Sequence, residues 1–192
     1  MKGALVLSPF RPGYAKNNRG HVKDNVRAFG LFLAACLLTS MATAYGADDP
    51  AVASEKDGRY TDKDGFPTYK VQPDGKVDWA TFSGFRRYHA ECHVCHGPDG
   101  EGSTYAPALK NSLKTITYPE FLSIVAAGRQ NVSSSQENVM PSFGQNKNVV
   151  CYLDDIYVYL RARSDEAIPR GRPAKHEDKP DAAKKAETEC MG

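Results

Sequence analysis

Five consecutive residues, Cys92-His93-Val94-Cys95-His96, place two thiols three positions apart and a histidine directly after the second, with His89 one helical turn upstream. Thiol and imidazole at this density serve structural zinc, thiol redox exchange, or covalent capture of a haem. The spacing C-x-x-C-H favours the third. Two thiols three residues apart on a turn of helix can each add to one haem vinyl group, and the next residue then projects its imidazole at the iron. A zinc site needs two more ligands at compatible spacing, but Cys151 and Cys190 stand far apart and belong to no second C-x-x-C pair. Thiol redox exchange calls for C-x-x-C opening a helix in a βαβ pattern, which is not found here. His89 and His93 read as surface or packing residues beside the motif.

An iron held by His96 needs a second ligand from its other side. Of the four methionines, Met1 and Met41 fall in a leader described below and Met191 lies at the extreme C-terminus, which leaves Met140, followed by Pro141. A thioether ligand favours the ferrous state and raises the potential relative to two histidines. With His96 and Met140 both bound, the iron offers a substrate no open position. The expected chemistry is one-electron transfer through an exposed edge of a single covalent haem c, with no enzymatic activity and no small-molecule substrate.

The rest of the chain must export and position these groups. Lys23 and Arg27 precede an apolar run over residues 28–44, which ends in Ala42-Thr43-Ala44 and is followed by Asp48-Asp49. This reads as a secretory signal peptide, so residues 1–47 are expected to be removed and the mature chain to reach the periplasm. Leu33-Ala34-Ala35-Cys36 has the form of a lipoprotein box, but the apolar run continues through Leu37 and Leu38, which favours ordinary cleavage near residues 44–47 over acylation of Cys36. The whole chain carries net charge +2; removing six Lys and Arg and one Asp leaves 19 basic and 22 acidic residues, net −3. The positive balance belongs to the leader. No basic stripe interleaved with aromatic residues points to nucleic acid. An exported chain folds under oxidising conditions, and four cysteines remain in it, an even number that permits pairing.

Residues 48–79 contain two turn signals, Asp64-Gly65 with Pro67 and Pro73-Asp74-Gly75, and read as a hairpin-like extension. Asp62, Asp64 and Asp74 are ordinary turn residues, because the loop lacks the spacing and terminal Glu of a calcium site. From residue 79 to 92 the apolar positions Phe82, Phe85, Tyr88 and Cys92 recur at helical steps, and Gly84 on the same side leaves room for a crossing helix. Thr117 and Glu120 form a capping box with Pro119 in the first turn, opening a second helix that should stop at Gly128. Residues 129–148 form a long polar loop around Met140. A third helix over residues 149–162 places Val149, Leu153, Ile156 and Leu160 on one face, with Asp154, Asp155 and Arg161 elsewhere, and is the natural partner of Gly84. Residues 164–192 carry seven acidic and six basic residues and read as a solvated tail unless something ties them down.

The order of Gly84-x3-Tyr88-x3-Cys92, C-x-x-C-H, Ala106-Pro107-Ala108-Leu109, Met140-Pro141 and Ile156-x-x-Tyr159-Leu160 resembles class I cytochrome c over about residues 80–163. The resemblance implies a mainly α fold around one covalently bound haem, with residues 48–79 as an N-terminal extension and 164–192 as a C-terminal tail. It also implies that the first and last helices cross and that Pro107 gives its carbonyl to the Nδ1-H of His96. The segments DGFPTYKVQPDGKVDW, RRYHAECHVCHGPDG, GSTYAPALK, QENVMPSFG, NVVCYLDDIYVYLRAR and RPAKHEDKP are similar to the methanol-metabolism-related four-cysteine c-type cytochromes of methylotrophic bacteria. That similarity implies a periplasmic carrier taking electrons from a quinoprotein (PQQ-dependent) methanol or alcohol dehydrogenase and passing them to another cytochrome or an oxidase. It also implies that Cys151 and Cys190 pair as a disulfide. Lys110, Lys114 and Arg129 are either docking or propionate contacts or simply solvated charges. Two other functions share the motif: a haem sensor or small peroxidase in which Met140 leaves, and a fixed haem subunit of a larger respiratory complex.

Overall fold

Two helices that cross at a glycine form the frame. The computed structural model describes residues 52–133 and 136–192; the expected leader, with Met1, Cys36 and Met41, lies outside them. Before the first of the crossing helices come three short antiparallel strands, β1 (Ser54–Lys56), β2 (Arg59–Thr61) and β3 (Pro67–Thr68), in that order across the sheet. Asp57 and Gly58 join β1 to β2, both at positive φ, the conformation a tight hairpin turn requires. The extension is thus a three-strand meander rather than a single hairpin. Asp62 Oδ1 accepts the N–H groups of Asp64 and Phe66, and Asp74 Oδ1 that of Lys76, which are turn-closing roles.

Helix α1 (Trp79–Glu91) is started by Asp78. Its carboxylate accepts the Thr81 N–H and hydroxyl and also the N–H of Lys70, so one cap fixes both the helix and the strand-like segment leading into it. Short helices α2 (His93–His96) and α3 (Leu109–Ser112) follow, with a 3-10 turn at Pro98–Gly100 between them. Helix α4 (Tyr118–Ala127) opens with the reciprocal Thr117–Glu120 capping box and stops at Gly128. Residues 129–140 differ from the expected loop: β4 (Arg129–Ser133) and β5 (Gln136–Met140) pair antiparallel. The polar residues of this stretch carry no apolar alternation in the sequence that would mark strands.

The expected last helix is two. Helix α5 (Lys147–Val150) ends at Cys151, Tyr152 leaves the helical region at φ −132°, and α6 (Leu153–Ser164) begins again. Val149, Leu153, Ile156 and Leu160 are buried, as the periodicity predicts, but so are Asp155, Tyr157, Val158, Tyr159, Ala162 and Arg163. Asp155 was expected to face outward. Instead it is enclosed where α6 meets α1, and Arg59 of β2 reaches it at 3.0 Å. Gly84 makes that meeting possible, because a Cβ there would collide with the Asp155 carbonyl and lie 2.8 Å from Tyr159 Cβ. Tyr88 and Tyr159 meet across the crossing with ring centroids 5.6 Å apart.

The C-terminal segment is not a free tail. Ile168 is buried, Val77 exchanges backbone bonds with Lys175 and Glu177, and His176 stacks on Phe82 with ring centroids 3.6 Å apart. Helix α7 (Asp181–Met191) completes the chain, tied to α5 through Cys151–Cys190, with Cα atoms 5.7 Å apart, and through Lys147 Nζ donating to the Met191 carbonyl. Charge composition misled here because the ties are backbone bonds, ion pairs and side-chain hydrogen bonds, one aromatic stack and one covalent link, none of which needs an apolar run.

Candidate haem-binding site

Cys92 closes α1 by donating its N–H to the Tyr88 carbonyl and at the same time precedes the first residue of α2, so the attachment segment is a continuation of the core helix after a break at φ −116°. His96 ends α2, only 8% exposed. Its Nδ1 lies 3.0 Å from the Pro107 carbonyl oxygen. A carbonyl only accepts, so Nδ1 carries the proton and Nε2 keeps the lone pair that a metal would take. The loop that delivers Pro107 is fastened to α2: Gly102 N–H donates to the His96 carbonyl at 2.7 Å, Ser103 N–H to the Ala106 carbonyl, and Ser103 Oγ to the Cys95 carbonyl.

Cys92 and Cys95 are bonded to no other sulfur, the first half-buried and the second exposed. Burial pushes the Cys92 thiol up to about 12, with the charge of Glu91 and then Cys95 adding to it. It is therefore held as S–H. Zinc ligation and disulfide exchange both work through the thiolate, whereas addition across a vinyl C=C consumes the S–H itself. His89 and His93 are packed as neighbours, ring centroids 5.8 Å apart. His89 Nδ1 meets the Phe85 carbonyl at 2.9 Å, and His93 Nδ1 is buried without a hydrogen-bond partner.

Met140 ends β5 directly opposite Arg129 in the hairpin register. Gly128, at φ +77°, allows this: a Cβ there would stand 2.6 Å from the Met140 carbonyl oxygen. The residues after Met140 then clasp the end of α4, with Ser142 Oγ on the Ala126 carbonyl and Phe143 N–H on that of Val125. Met140, Phe143, Leu109, Leu113, Ile116 and Leu122 pack against the core while staying only partly buried, as does Cys92. Each of these side chains keeps apolar surface left to cover, which suits a flat apolar macrocycle. Lys110 is not free on this face, since its Nζ sits 2.5 Å from Glu101 Oε2; Lys114 and Arg129 are exposed.

The turn after His96 holds what the sequence reading passed over. Tyr88 is fully buried; its hydroxyl donates to the Gly97 carbonyl at 2.6 Å and accepts the Gly100 N–H at 3.1 Å. Burial pushes this phenol well up, so it remains the protonated donor. Between these anchors Asp99 sits at φ +59°, a region that a residue other than glycine occupies only when its surroundings hold it there. Its buried carboxylate takes the Gly171 N–H at 3.1 Å, the Tyr159 hydroxyl at 3.3 Å and Arg170 Nε at 3.4 Å, with His89 Nε2 also 3.4 Å away. Buried Arg163 braces the same turn through the carbonyls of Asp99 and Ile168 and the carboxylate of Glu101. The one trace of this in the sequence is the density of Gly and Asp after the motif, in His96-Gly97-Pro98-Asp99-Gly100, which marks a turn without saying what fills it.

Comparison with known proteins adds to this geometry. No family model matches the chain. It is 60% identical over 136 residues to cytochrome c-553I of Paracoccus denitrificans, a match covering 71% of this chain and 60% of that protein. Against cytochrome c-555 of Methylococcus capsulatus the identity is 43% over 96 residues, 50% of this chain and 72% of the relative. In the crystal structure of the c-type cytochrome XoxG from Methylobacterium extorquens AM1 the fold recurs at a TM-score of 0.68 and 61% identity, over 72% of this chain and 85% of that one. The chain belongs to the c-type cytochromes. Such cytochromes carry haem c, one per class I domain, bound covalently. The partly buried Met140, the S–H at Cys92 and the free Nε2 implied at His96 fit that group. The chain spans 60% of the length of cytochrome c-553I, its match to cytochrome c-555 being the more complete one.

Proposed function

We propose that this cytochrome is a periplasmic one-electron carrier that accepts electrons from a PQQ-dependent methanol or alcohol dehydrogenase and delivers them to another cytochrome or an oxidase. The observation that carries the proposal is the Pro107–His96 hydrogen bond beside two unbonded cysteines. In this reading Cys92 and Cys95 would hold haem c through their sulfurs, and His96 and Met140 would ligate its iron. Haem c, when bound, supplies the one-electron iron couple. Pro107 fixes the ring orientation of His96. Gly128 and the β4–β5 hairpin hold Met140 in place, and thioether ligation supports a high potential. Arg129, beside Met140 in the hairpin, and Lys114 are exposed cations suited to steering a partner in a weak, short-lived encounter. The similarity to cytochromes of methylotrophs supports the choice of donor, and the sequence of residues 1–47 supports export.

Anaerobic mixing of the oxidised holoprotein with a purified PQQ-dependent methanol dehydrogenase and methanol tests the donor. Substrate-dependent reduction of the haem absorbance bands is expected, with no binding of carbon monoxide by the ferrous protein at neutral pH. Reduction no faster than without enzyme would remove the dehydrogenase from the proposal, and rapid carbon monoxide binding would remove the carrier role.

A further inference from the structure

The turn at residues 97–100 is gripped from the side of α1 by Tyr88, from α6 by Tyr159 and Arg163, and from beyond α6 by Arg170 and Gly171. Residues 165–177 form a strap that leaves α6 with Ala167 N–H on the Ala162 carbonyl, passes over Asp99, and is pinned at its far end where His176 stacks on Phe82 and Val77 pairs with Lys175 and Glu177. The strap reaches the turn after His96 at the Asp99 carboxylate, through Arg170 Nε and the Gly171 N–H, and its Ile168 carbonyl accepts from Arg163 of α6. Asp99 is three residues past His96 and 5% exposed.

We infer that Asp99 is a positioning residue of the electron-transfer site, and that the strap sets the reduction potential by holding this buried carboxylate, partly offset by Arg170, beside the proximal ligand. The inference rests on His96 as the iron ligand. A fixed negative charge in a weakly solvated region favours the ferric over the ferrous iron and lowers the potential. Arg170 works against it, weakly, because its side chain is 63% exposed and screened by water. The two residues therefore have opposite signs of effect, which a role in packing alone would not produce.

Potentiometric titration of the holoprotein separates these cases. Asp99→Asn removes the charge at nearly constant shape and is expected to raise the ferrous-to-ferric ratio at fixed potential about tenfold, a rise of about 59 mV for one electron. Arg170→Gln is expected to shift the ratio the other way, by about two- to threefold. Shifts of the same sign in both variants, or none in either, overturn the inference. Should Asp99→Asn not fold around haem, Arg170→Gln decides alone: a lowered potential supports the inference and an unchanged or raised one overturns it. Amide hydrogen exchange at Gly171 gives a readout apart from the haem, expected to be faster in Asp99→Asn; unchanged protection would show that the carboxylate does not hold the strap. His96→Ala retaining the unaltered haem spectrum would instead remove the ligand reading beneath the inference, and both would fall together.

Discussion

Burial alone would push the Asp99 carboxyl up, but the Gly171 N–H, the proximity of His89, and the Arg170 and Tyr159 donors outweigh it and hold the group below the ordinary carboxylate range. A carboxyl depressed in the folded state stabilises the fold above its unfolded value of about 3.9, and that contribution is lost as pH falls through the lower folded value. Asp62 is depressed too: burial again pushes it up, and the Phe66 N–H and Arg161 overcome this. Thermal melts of the holoprotein are therefore expected to be flat in these groups near pH 7 and to fall below about pH 4. Asp99→Asn should start from a lower melting temperature at pH 7 and lose less between pH 5 and 3 (about one titrating group fewer); an acid limb as steep as that of the unsubstituted protein would show that this carboxyl is not held as described. At this scale the motif residues were legible, because thiol and imidazole spacing is itself the chemistry. Asp99 was not, since its role depends on Tyr159, Arg170 and Gly171, which come 60 and more residues later.

Helices α1 and α6 approach closely enough that Gly84 faces the Asp155 backbone and Tyr159 Cβ. Alanine is favoured over glycine by about 1 kcal/mol inside a helix. Overpacking costs about 1–3 kcal/mol and occasionally more, and backbone is the part of a neighbour least able to yield. The second effect wins, so Gly84→Ala is expected to destabilise the holoprotein by about 2 kcal/mol, read from the urea midpoint at unchanged slope; a neutral or stabilising result would mean the helices do not cross as closely as described. The helical period and the Thr117–Glu120 box made α1, α4 and the buried face of α6 readable. The break at Cys151–Tyr152 was not readable, because no Gly or Pro marks it and the apolar period runs through. The hairpin of Arg129–Ser133 and Gln136–Met140 escaped for the opposite reason: its polar residues carry no alternation to detect.

Over the whole molecule, the segments on either side of the cytochrome core are built into one another. Arg59 and Asp62 reach Asp155 and Arg161 of α6, while Lys175 and Glu177 pair with Val77 and reach Asp74 and Gln72. The disulfide adds to this by closing 39 residues between Cys151 and Cys190, worth about 3–4 kcal/mol in the chain-entropy account. Replacing both with serine is expected to lower stability by up to that amount while leaving the haem spectrum intact, because Cys92 and Cys95 take no part in the link; loss of haem attachment would contradict that separation. What tied the C-terminal segment down was illegible in composition, which records charge but not the partners 39 to 105 residues away. Those separations also have a kinetic meaning. Gln72 meets Glu177 across 105 residues and Asp62 meets Arg161 across 99. Chain closure over such lengths carries an entropic cost that a local helix avoids, and folding slows as native pairings become more distant in sequence. The fold thus favours an order of events in which the short helices bearing Cys92, Cys95 and His96 form from neighbouring residues and the strap closes over them late. In that order Cys92 and Cys95 stand on formed helices while the chain around them is still open.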